Sequence, residues 1–105
     1  NISEMSADAG TEVVVNFTNS SGVNSHNWAV VESGTKDAVS VDGTTAGPTN
    51  NWLPVGDSRV IGNTPVLGPG ESGTATFIAP VAGTYQFVCT FPGHNFTMFG
   101  DFIVN

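Results

Sequence analysis

The sequence predicts an all-β fold, a sandwich of two sheets with about seven strands. Gly, Thr, Asn, Ser and Val are abundant while Leu, Lys, Arg and Glu are scarce, a composition that favours strands over helices. Several short stretches alternate apolar and polar residues with the two-residue period of a strand, and Gly and Pro separate them. At 105 residues the chain can bury one core, so we expect a single domain over residues 1–105.

Two strand patterns occur early in the chain. The stretch TEVVVNFT, residues 11–18, alternates Val13, Val15 and Phe17 with polar neighbours, which is typical of a half-buried strand. The cluster NSSG then indicates a turn. The stretch HNWAVVE, residues 26–32, predicts the next strand.

A long insertion is expected between Gly34 and Gly70. The alternation is lost there, and Gly, Thr, Asn, Asp and Pro dominate. We expect irregular structure with one short helical turn near residues 36–39. Long loops of this kind are either functional or loosely ordered.

Regular alternation returns in the last third of the chain. The stretch SGTATFIA, residues 72–79, predicts a strand, and TYQFVCT predicts another that places Tyr85, Phe87 and Cys89 on one face. Pro and Gly mark the turn between these two strands. A final strand is expected over residues 99–105, FGDFIVN.

Three types of metal ligand occur within ten residues of the string CTFPGHNFTM. Cys89, the only cysteine, is followed by His94 and then Met98, a C-x4-H-x3-M spacing. A thiolate, two imidazoles and a weak axial thioether form the blue-copper pattern, and the second imidazole can come only from His26. We therefore predict that these four residues bind one copper ion.

Each of these residues also has a purely structural interpretation. A lone buried cysteine is usually a small apolar residue. A lone histidine beside an aromatic strand is more often structural, and Met98 could belong to the core, as Met5 is expected to. The occurrence of all four residue types together in this order favours the metal site.

Residues adjacent in sequence are predicted to support the ligands. Asn27 follows His26 and Thr90 follows Cys89, so their side chains are candidates for hydrogen bonds between the two ligand segments. The backbone carbonyl of Ser25 could lie on the axial side opposite Met98.

Apolar residues of the loop have two interpretations. Pro92 and Phe96 could form an apolar rim around His94, through which a docked partner would exchange an electron. We expect Phe91 and Phe99 to pack beneath the loop instead. The role of Phe96 stays open between rim and packing.

Charge and hydropathy limit the partners. Nine carboxylates against Lys36 and Arg59 give a formal charge of -7, so nucleic acid is not an expected partner. An acidic surface favours a basic protein partner and solubility. No run of about 18 apolar residues is present, so no membrane span is expected in this chain. We expect any export signal to have been removed already or to lie upstream.

The strings HNW, GESGTATF and APVAGTYQFVCTFPGH resemble the cupredoxin family. The spacing is similar to the azurin-like branch, which has four residues between Cys and the second His and three between His and Met. The strings look most like those of auracyanins, blue copper proteins of filamentous anoxygenic phototrophs. The resemblance covers residues 13–31 and 67–104.

This resemblance implies a Greek-key β-sandwich and a one-electron carrier in the periplasm or on the outer face of the cytoplasmic membrane. It implies a menaquinol-oxidising complex as donor and a c-type cytochrome of a reaction centre as acceptor. Relatives are often tethered through an N-terminal segment, which could lie upstream. They usually begin with a strand ahead of the stretch that matches NISEMSADAGTEVVV, so we expect the family's first strand to be missing here.

The leading hypothesis is a monomeric type 1 copper protein that transfers electrons between larger partners in a photosynthetic or respiratory chain. An enzyme such as a copper oxidase or nitrite reductase needs further histidine ligands, and none remains. A cysteine hydrolase would need a separate base. The alternative is a copper carrier or store without a redox role, and a metal-free adhesion module is a further rival.

Overall fold

The computed structural model describes residues 3–105. Seven strands and one α-helix follow one another in this part of the chain, with short 3-10 helices at Pro48–Asn50 and His94–Phe96. The main elements are β1 (Glu4–Ala7), β2 (Glu12–Thr18), β3 (Ala29–Val31), α1 (Lys36–Ala46), β4 (Val60–Asn63), β5 (Ser72–Ile78), β6 (Gly83–Val88) and β7 (Phe99–Val104). The predicted all-β class with about seven strands is confirmed.

The strands form two sheets. Five of them lie in the order β1-β7-β6-β3-β4, and β2 pairs with β5 in a separate two-stranded sheet. β1 runs parallel to β7, with Glu4 opposite Asp101, whereas the other pairs are antiparallel. The central strands β6 and β3 are adjacent, so the segments that contain Cys89 and His26 lie side by side.

An aromatic core fills the space between the sheets. The Trp28 ring stacks at 6.2 Å from Phe77 of β5 and at 6.0 Å from Phe87 of β6, and meets Phe102 of β7 edge-on at 6.4 Å. Such aromatic contacts add to the stabilisation from burial of apolar area. They fix the two sheets against each other beneath the end of the sandwich that carries the ligand segments.

A second apolar cluster covers the outer face of the larger sheet. Alternate residues of β3 point to opposite faces, so Val30 joins the core between the sheets while Ala29 and Val31 pack with Val39 of α1. Both faces of β3 are therefore buried, which explains why this strand is apolar throughout instead of alternating.

The expectation of irregular structure between Gly34 and Gly70 was wrong in two places. α1 extends over 11 residues where one turn was expected, and β4 lies in the same segment. The helix is poor in strong helix formers, so packing of its buried face stabilises it. In β4 a Cβ at Gly62 would overlap the Phe77 ring, so glycine permits the close approach of the two sheets.

β1 was also not foreseen, because four residues are too short for a clear alternation. Its hydrogen bonds to β7 define it as a strand. The expectation that the family's first strand is missing stays a prediction. No helix in residues 3–105 has both the length and the apolar character needed to cross a membrane.

Candidate metal centre

His26 and Cys89 are held at one end of the sandwich by backbone hydrogen bonds. The His26 N–H donates to the Leu67 carbonyl at 3.0 Å, and the Leu67 N–H donates back to His26 at 2.7 Å. Cys89 directly follows β6, and its N–H donates to the Met98 carbonyl at 2.9 Å. Hydrogen bonds within the protein thus hold both segments in place without a metal ion.

We call residues 89–98 the ligand loop. Gly93 has φ 84°, a left-handed conformation that glycine adopts without strain, and it turns the chain between Cys89 and His94. The His94 N–H donates to the Phe91 carbonyl at 2.9 Å, and the Met98 N–H donates to the His94 carbonyl at 2.8 Å. The short spacing between the ligands is therefore folded into tight turns that return each side chain to the same end of the molecule.

Three donor atoms converge at this end. The Nδ1 atoms of His26 and His94 are 3.1 Å apart, and the Cys89 Sγ lies 3.8 Å from the first and 3.6 Å from the second. The point equidistant from the three atoms is about 2 Å from each, close to the lengths of protein metal–nitrogen and metal–sulfur bonds. Within residues 3–105 this is the only group of three or more His, Cys, Asp or Glu side chains positioned to hold a metal ion.

Met98 is the fourth residue predicted from the sequence. It is partly buried and lines, with Cys89 but without His26 or His94, a cavity of about 360 Å³. Its backbone is hydrogen-bonded to the backbones of Cys89 and His94, the other two predicted ligands in the loop. A thioether is the residue type that completes a blue-copper donor set, and Met98 as the fourth ligand stays a prediction.

Burial controls the protonation of the donors. Cys89 is only 3% exposed, and this burial raises the pKa of its thiol, while the N–H groups of Asn27 and Phe91 partly oppose the rise. The pKa of His26 is lowered by burial and then by the nearby His94. A neutral imidazole is the form that binds a metal, and a metal ion deprotonates a coordinating thiol.

Asn27 and Thr90 connect the two ligand segments. The Thr90 N–H donates to Asn27 Oδ1 at 2.7 Å, and Asn27 Nδ2 donates to Thr90 Oγ1 at 2.8 Å. The Asn27 N–H also donates to the Cys89 Sγ at 3.5 Å. Ser25 is partly buried beside His26, and the role expected of its carbonyl stays a prediction.

Sequence reasoning missed the contribution of the insertion. Asn27 Nδ2 also donates to the Asn51 carbonyl at 3.0 Å, and the Asn51 side chain accepts the Val66 N–H at 3.1 Å. Asn51 and Trp52 both have positive φ, so the chain turns sharply beside the site. Consecutive Asn residues in a Gly- and Pro-rich stretch were the available signal, since Asn tolerates this conformation.

Lys36 and Asp37 were also missed. Both lie in the first turn of α1 and contact Asn95 of the ligand loop. Lys36 is one of only two basic residues in the chain, which is the signal that could have identified it.

The surface around His94 is partly apolar. Phe96 is 72% exposed, while Pro92 and His94 are partly buried. Phe91 packs between His94, at 4.8 Å between ring centroids, and Trp52, at 5.8 Å. Phe91 is thus a packing residue, whereas Phe96 presents its ring to solvent.

Known copper proteins resemble this chain over most or all of its length. The family model for copper-binding proteins of the plastocyanin/azurin family matches residues 1–105. Auracyanin-A from Chloroflexus aurantiacus is 40% identical over 104 residues, which cover 97% of this chain and 64% of the relative. Azurin from Bordetella pertussis is 45% identical over 78 residues, covering 71% of this chain and 52% of the relative. The chain therefore spans about half to two thirds of the length of these relatives.

A solved structure agrees with this relationship. Dithionite-reduced auracyanin from Roseiflexus castenholzii superposes with a TM-score of 0.95 at 36% identity, covering 100% of this chain and 86% of that one. The cofactor of the matched family is copper, and the thiol, imidazole and thioether side chains assembled here suit that metal. The predicted cupredoxin resemblance is confirmed, and the chain belongs to the plastocyanin/azurin family of copper-binding proteins.

Proposed function

We propose that this chain is a mononuclear type 1 copper protein that carries one electron at a time between larger redox proteins. The observation that carries the proposal is the triangle of His26 Nδ1, His94 Nδ1 and Cys89 Sγ, whose size matches metal–ligand bond lengths. In this proposal those three residues would hold the copper ion, and Met98 would be a fourth, weaker ligand. Bound copper supplies a one-electron couple between Cu(I) and Cu(II).

The residues around the ligands suit this role because they restrict movement. The Asn27 N–H stabilises the buried Cys89 sulfur, and the paired hydrogen bonds to Thr90 hold the two ligand segments in register. A ligand set held by the protein changes little between oxidation states, which favours rapid electron transfer. Residues 1–105 are proposed to be a single copper-binding domain.

The proposed route for electrons is through His94. Exposed Phe96 and partly buried Pro92 form an apolar rim where a partner could dock close to the imidazole. A menaquinol-oxidising complex as donor and a c-type cytochrome of a reaction centre as acceptor are proposed from the resemblance to auracyanin. That resemblance also supports a monomer in the periplasm or on the outer face of the cytoplasmic membrane, in a photosynthetic or respiratory chain.

Optical and electron paramagnetic resonance spectra of the Cu(II)-loaded protein, repeated after addition of ascorbate, test the function. An intense blue thiolate-to-copper band and a small copper hyperfine splitting, both lost on reduction, are expected. Cys89→Ser should abolish the band while leaving the circular dichroism of the copper-free protein unchanged. Stoichiometric binding without the blue band would contradict the proposal and support a storage role, and no binding at all would exclude both.

A matched pair of methionines tests the axial ligand. Met98→Leu should shift the reduction potential, because the axial ligand tunes it. Met5→Leu, on β1 and packed against the core between the sheets, lines the same cavity as Cys89 and Met98 but is not a proposed ligand, so it should change the potential much less. Equal potentials for wild type and Met98→Leu would remove Met98 from the ligand set.

A further inference from the structure

We propose that Lys36 is a positioning residue for the ligand loop, and that its positive charge favours the reduced state of the copper site. The charge part of this inference rests on the proposed function. The positioning part concerns the protein without metal and can be tested separately.

The Lys36 ammonium is held by three partners. Its Nζ donates to the Asn95 carbonyl at 3.0 Å and to Asp37 Oδ1 at 2.8 Å, and it lies 4.1 Å from the centroid of the Phe99 ring. The Lys36 side chain is only 14% exposed. Lysine side chains usually keep the charged end in water. Here the charge points towards the protein, so these contacts determine its place.

Asn95 is the residue through which Lys36 acts. It directly follows His94, is 5% exposed, and is attached to α1 at two points. The main-chain carbonyl accepts from Lys36, and the side-chain Nδ2 donates to Asp37 Oδ1 at 2.9 Å. The first turn of α1 therefore fixes both the main chain and the side chain of the loop between His94 and Met98.

The same turn is tied to the strand that leads to the thiol. The Lys36 N–H donates to the Gln86 Oε1 at 3.2 Å, and Gln86 belongs to β6, three residues before Cys89. α1 thus connects the Cys89 strand with the segment that follows His94. α1 lies outside the ligand loop, and its hydrogen bonds help to hold the His94 imidazole at a fixed distance from the Cys89 sulfur.

The charge of Lys36 is unusual in this protein. The formal charge is -7, and Arg59, the other basic residue, is occupied by Asp42 and Asp57 at 2.6 Å each. The Lys36 partner Asp37 has a side chain that is 62% exposed, so solvent screens the carboxylate more than the ammonium. On this inference the ammonium acts on the site more strongly than its screened carboxylate does, and a nearby positive charge disfavours Cu(II) relative to Cu(I).

A contact that only stabilised the fold would have a different signature. Loosening the loop would move the reduction potential in one direction whichever member of the pair was changed. A charge effect requires opposite shifts for loss of the ammonium and loss of the carboxylate. Asp37→Asn is a sharp probe because the new amide oxygen can still accept from Asn95 while the negative charge is removed.

The experiment compares Lys36→Met, Lys36→Arg and Asp37→Asn with the control Arg59→Met. Arg59→Met changes the net charge as Lys36→Met does, but at Asp42 and Asp57 instead of beside the ligand loop. Hydrogen exchange of the Thr97 and Met98 amides is measured in the copper-free proteins. Loss of the hydrogen bond in Lys36→Met should accelerate this exchange about tenfold. Asp37→Asn and Arg59→Met should leave it near the wild-type rate.

Reduction potentials are then measured on the copper-loaded proteins. Lys36→Met should lower the potential, Asp37→Asn should raise it, Lys36→Arg should stay closer to wild type, and Arg59→Met should change it least.

Shifts of the same sign for Lys36→Met and Asp37→Asn, or unchanged amide exchange in Lys36→Met, would overturn the inference. Should Lys36→Met not fold, Lys36→Gln, which also removes the ammonium, is compared with Asp37→Asn instead. A wild-type protein without a blue copper site would instead refute the proposed function, and the exchange data would still decide the positioning role.

Discussion

Asn27 and Thr90 form a closed pair in which each residue both donates and accepts. The Thr90 N–H reaches Asn27 Oδ1 at 2.7 Å, and Asn27 Nδ2 reaches Thr90 Oγ1 at 2.8 Å. The two residues are 63 positions apart in the chain, and each is adjacent to one of the proposed ligands, His26 or Cys89. The pair therefore helps to hold the chain segments of His26 and Cys89 at a fixed separation.

Asn27→Ala should lower the free energy of unfolding of the copper-free protein by about 2–4 kcal/mol, because it leaves the buried Thr90 N–H and the Asn51 carbonyl without partners. Urea denaturation followed by circular dichroism measures the change. Asn16→Ala is the control, since exposed Asn16 accepts one hydrogen bond from Thr74, and its effect should stay within about 0.5 kcal/mol. Equal losses for both variants would show that the pair has no special role.

Gly43→Ala should destabilise the protein although alanine is the better helix former by about 1 kcal/mol. Gly43 is buried in α1, and a Cβ there would overlap the Trp52 backbone carbonyl. The overlap should cost about 1–3 kcal/mol in the free energy of unfolding, measured with urea. Gly22→Ala makes the same chemical change where nothing lies within 4 Å, so it should be close to neutral. A stabilised Gly43→Ala protein would mean that α1 does not pack tightly against residues 51–53.

The Asp57–Arg59 pair should produce a pH-dependent contribution to stability. Hydrogen bonds from Arg59 lower the pKa of Asp57 from 3.8 to about 2. Because the folded-state pKa is depressed, the contribution is fully present above the unfolded pKa and is lost as pH falls through about 2. The difference in Tm between wild type and Asp57→Asn should be constant from about pH 5 to 7 and should shrink between about pH 4 and 2.

Arg59→Gln provides the second measurement for this pair. It removes the guanidinium donors that lower the pKa of Asp57 most, while the backbone N–H of residue 59 still donates to Asp57, so the low-pH part of its Tm profile should be flatter than that of wild type. A wild-type profile that kept its full advantage over Asp57→Asn at pH 2 would contradict the assigned pKa direction.

Phe96→Glu should slow electron self-exchange between the reduced and oxidised copper proteins, measured by nuclear magnetic resonance line broadening. A charge on the proposed rim would repel the like-charged rim of the second molecule and would reduce the rate about tenfold or more. Val81→Glu is the matched control, because Val81 is 78% exposed but lies in the turn before β6, away from the ligand loop. Similar rates for the two variants would exclude Phe96 from the docking surface.

The sequence predicted the parts of this protein that obey a simple period or spacing. The stretches around Val13 and Phe77 alternate strongly because one face of each is buried against the aromatic core, and both are strands. The stretch around Phe87 is also a strand, although its last residues are buried on both faces. The donors were recognisable because Cys, His and Met are rare in this chain and closely spaced near Cys89.

Elements that depend on contacts distant in sequence were not predictable in this way. β1 is a strand because of its pairing with β7, and α1 forms from weak helix formers because its buried face packs on the sheet. Lys36 and Asn51 approach the site only through the folded insertion, so adjacency in sequence gave no indication of them. Local pattern identified the ligands, and tertiary packing determined what supports them.

The separation of the donors along the chain sets the order in which the site can assemble. His26 and His94 are 68 positions apart, and the backbone partner of Cys89 is Met98, immediately before the last strand. Contacts of this length close late, because the loop entropy must be overcome before they contribute stability. During synthesis His26 therefore emerges long before the residues that complete its site. The complete metal site can form only after the two ligand segments have come together in the folded sandwich.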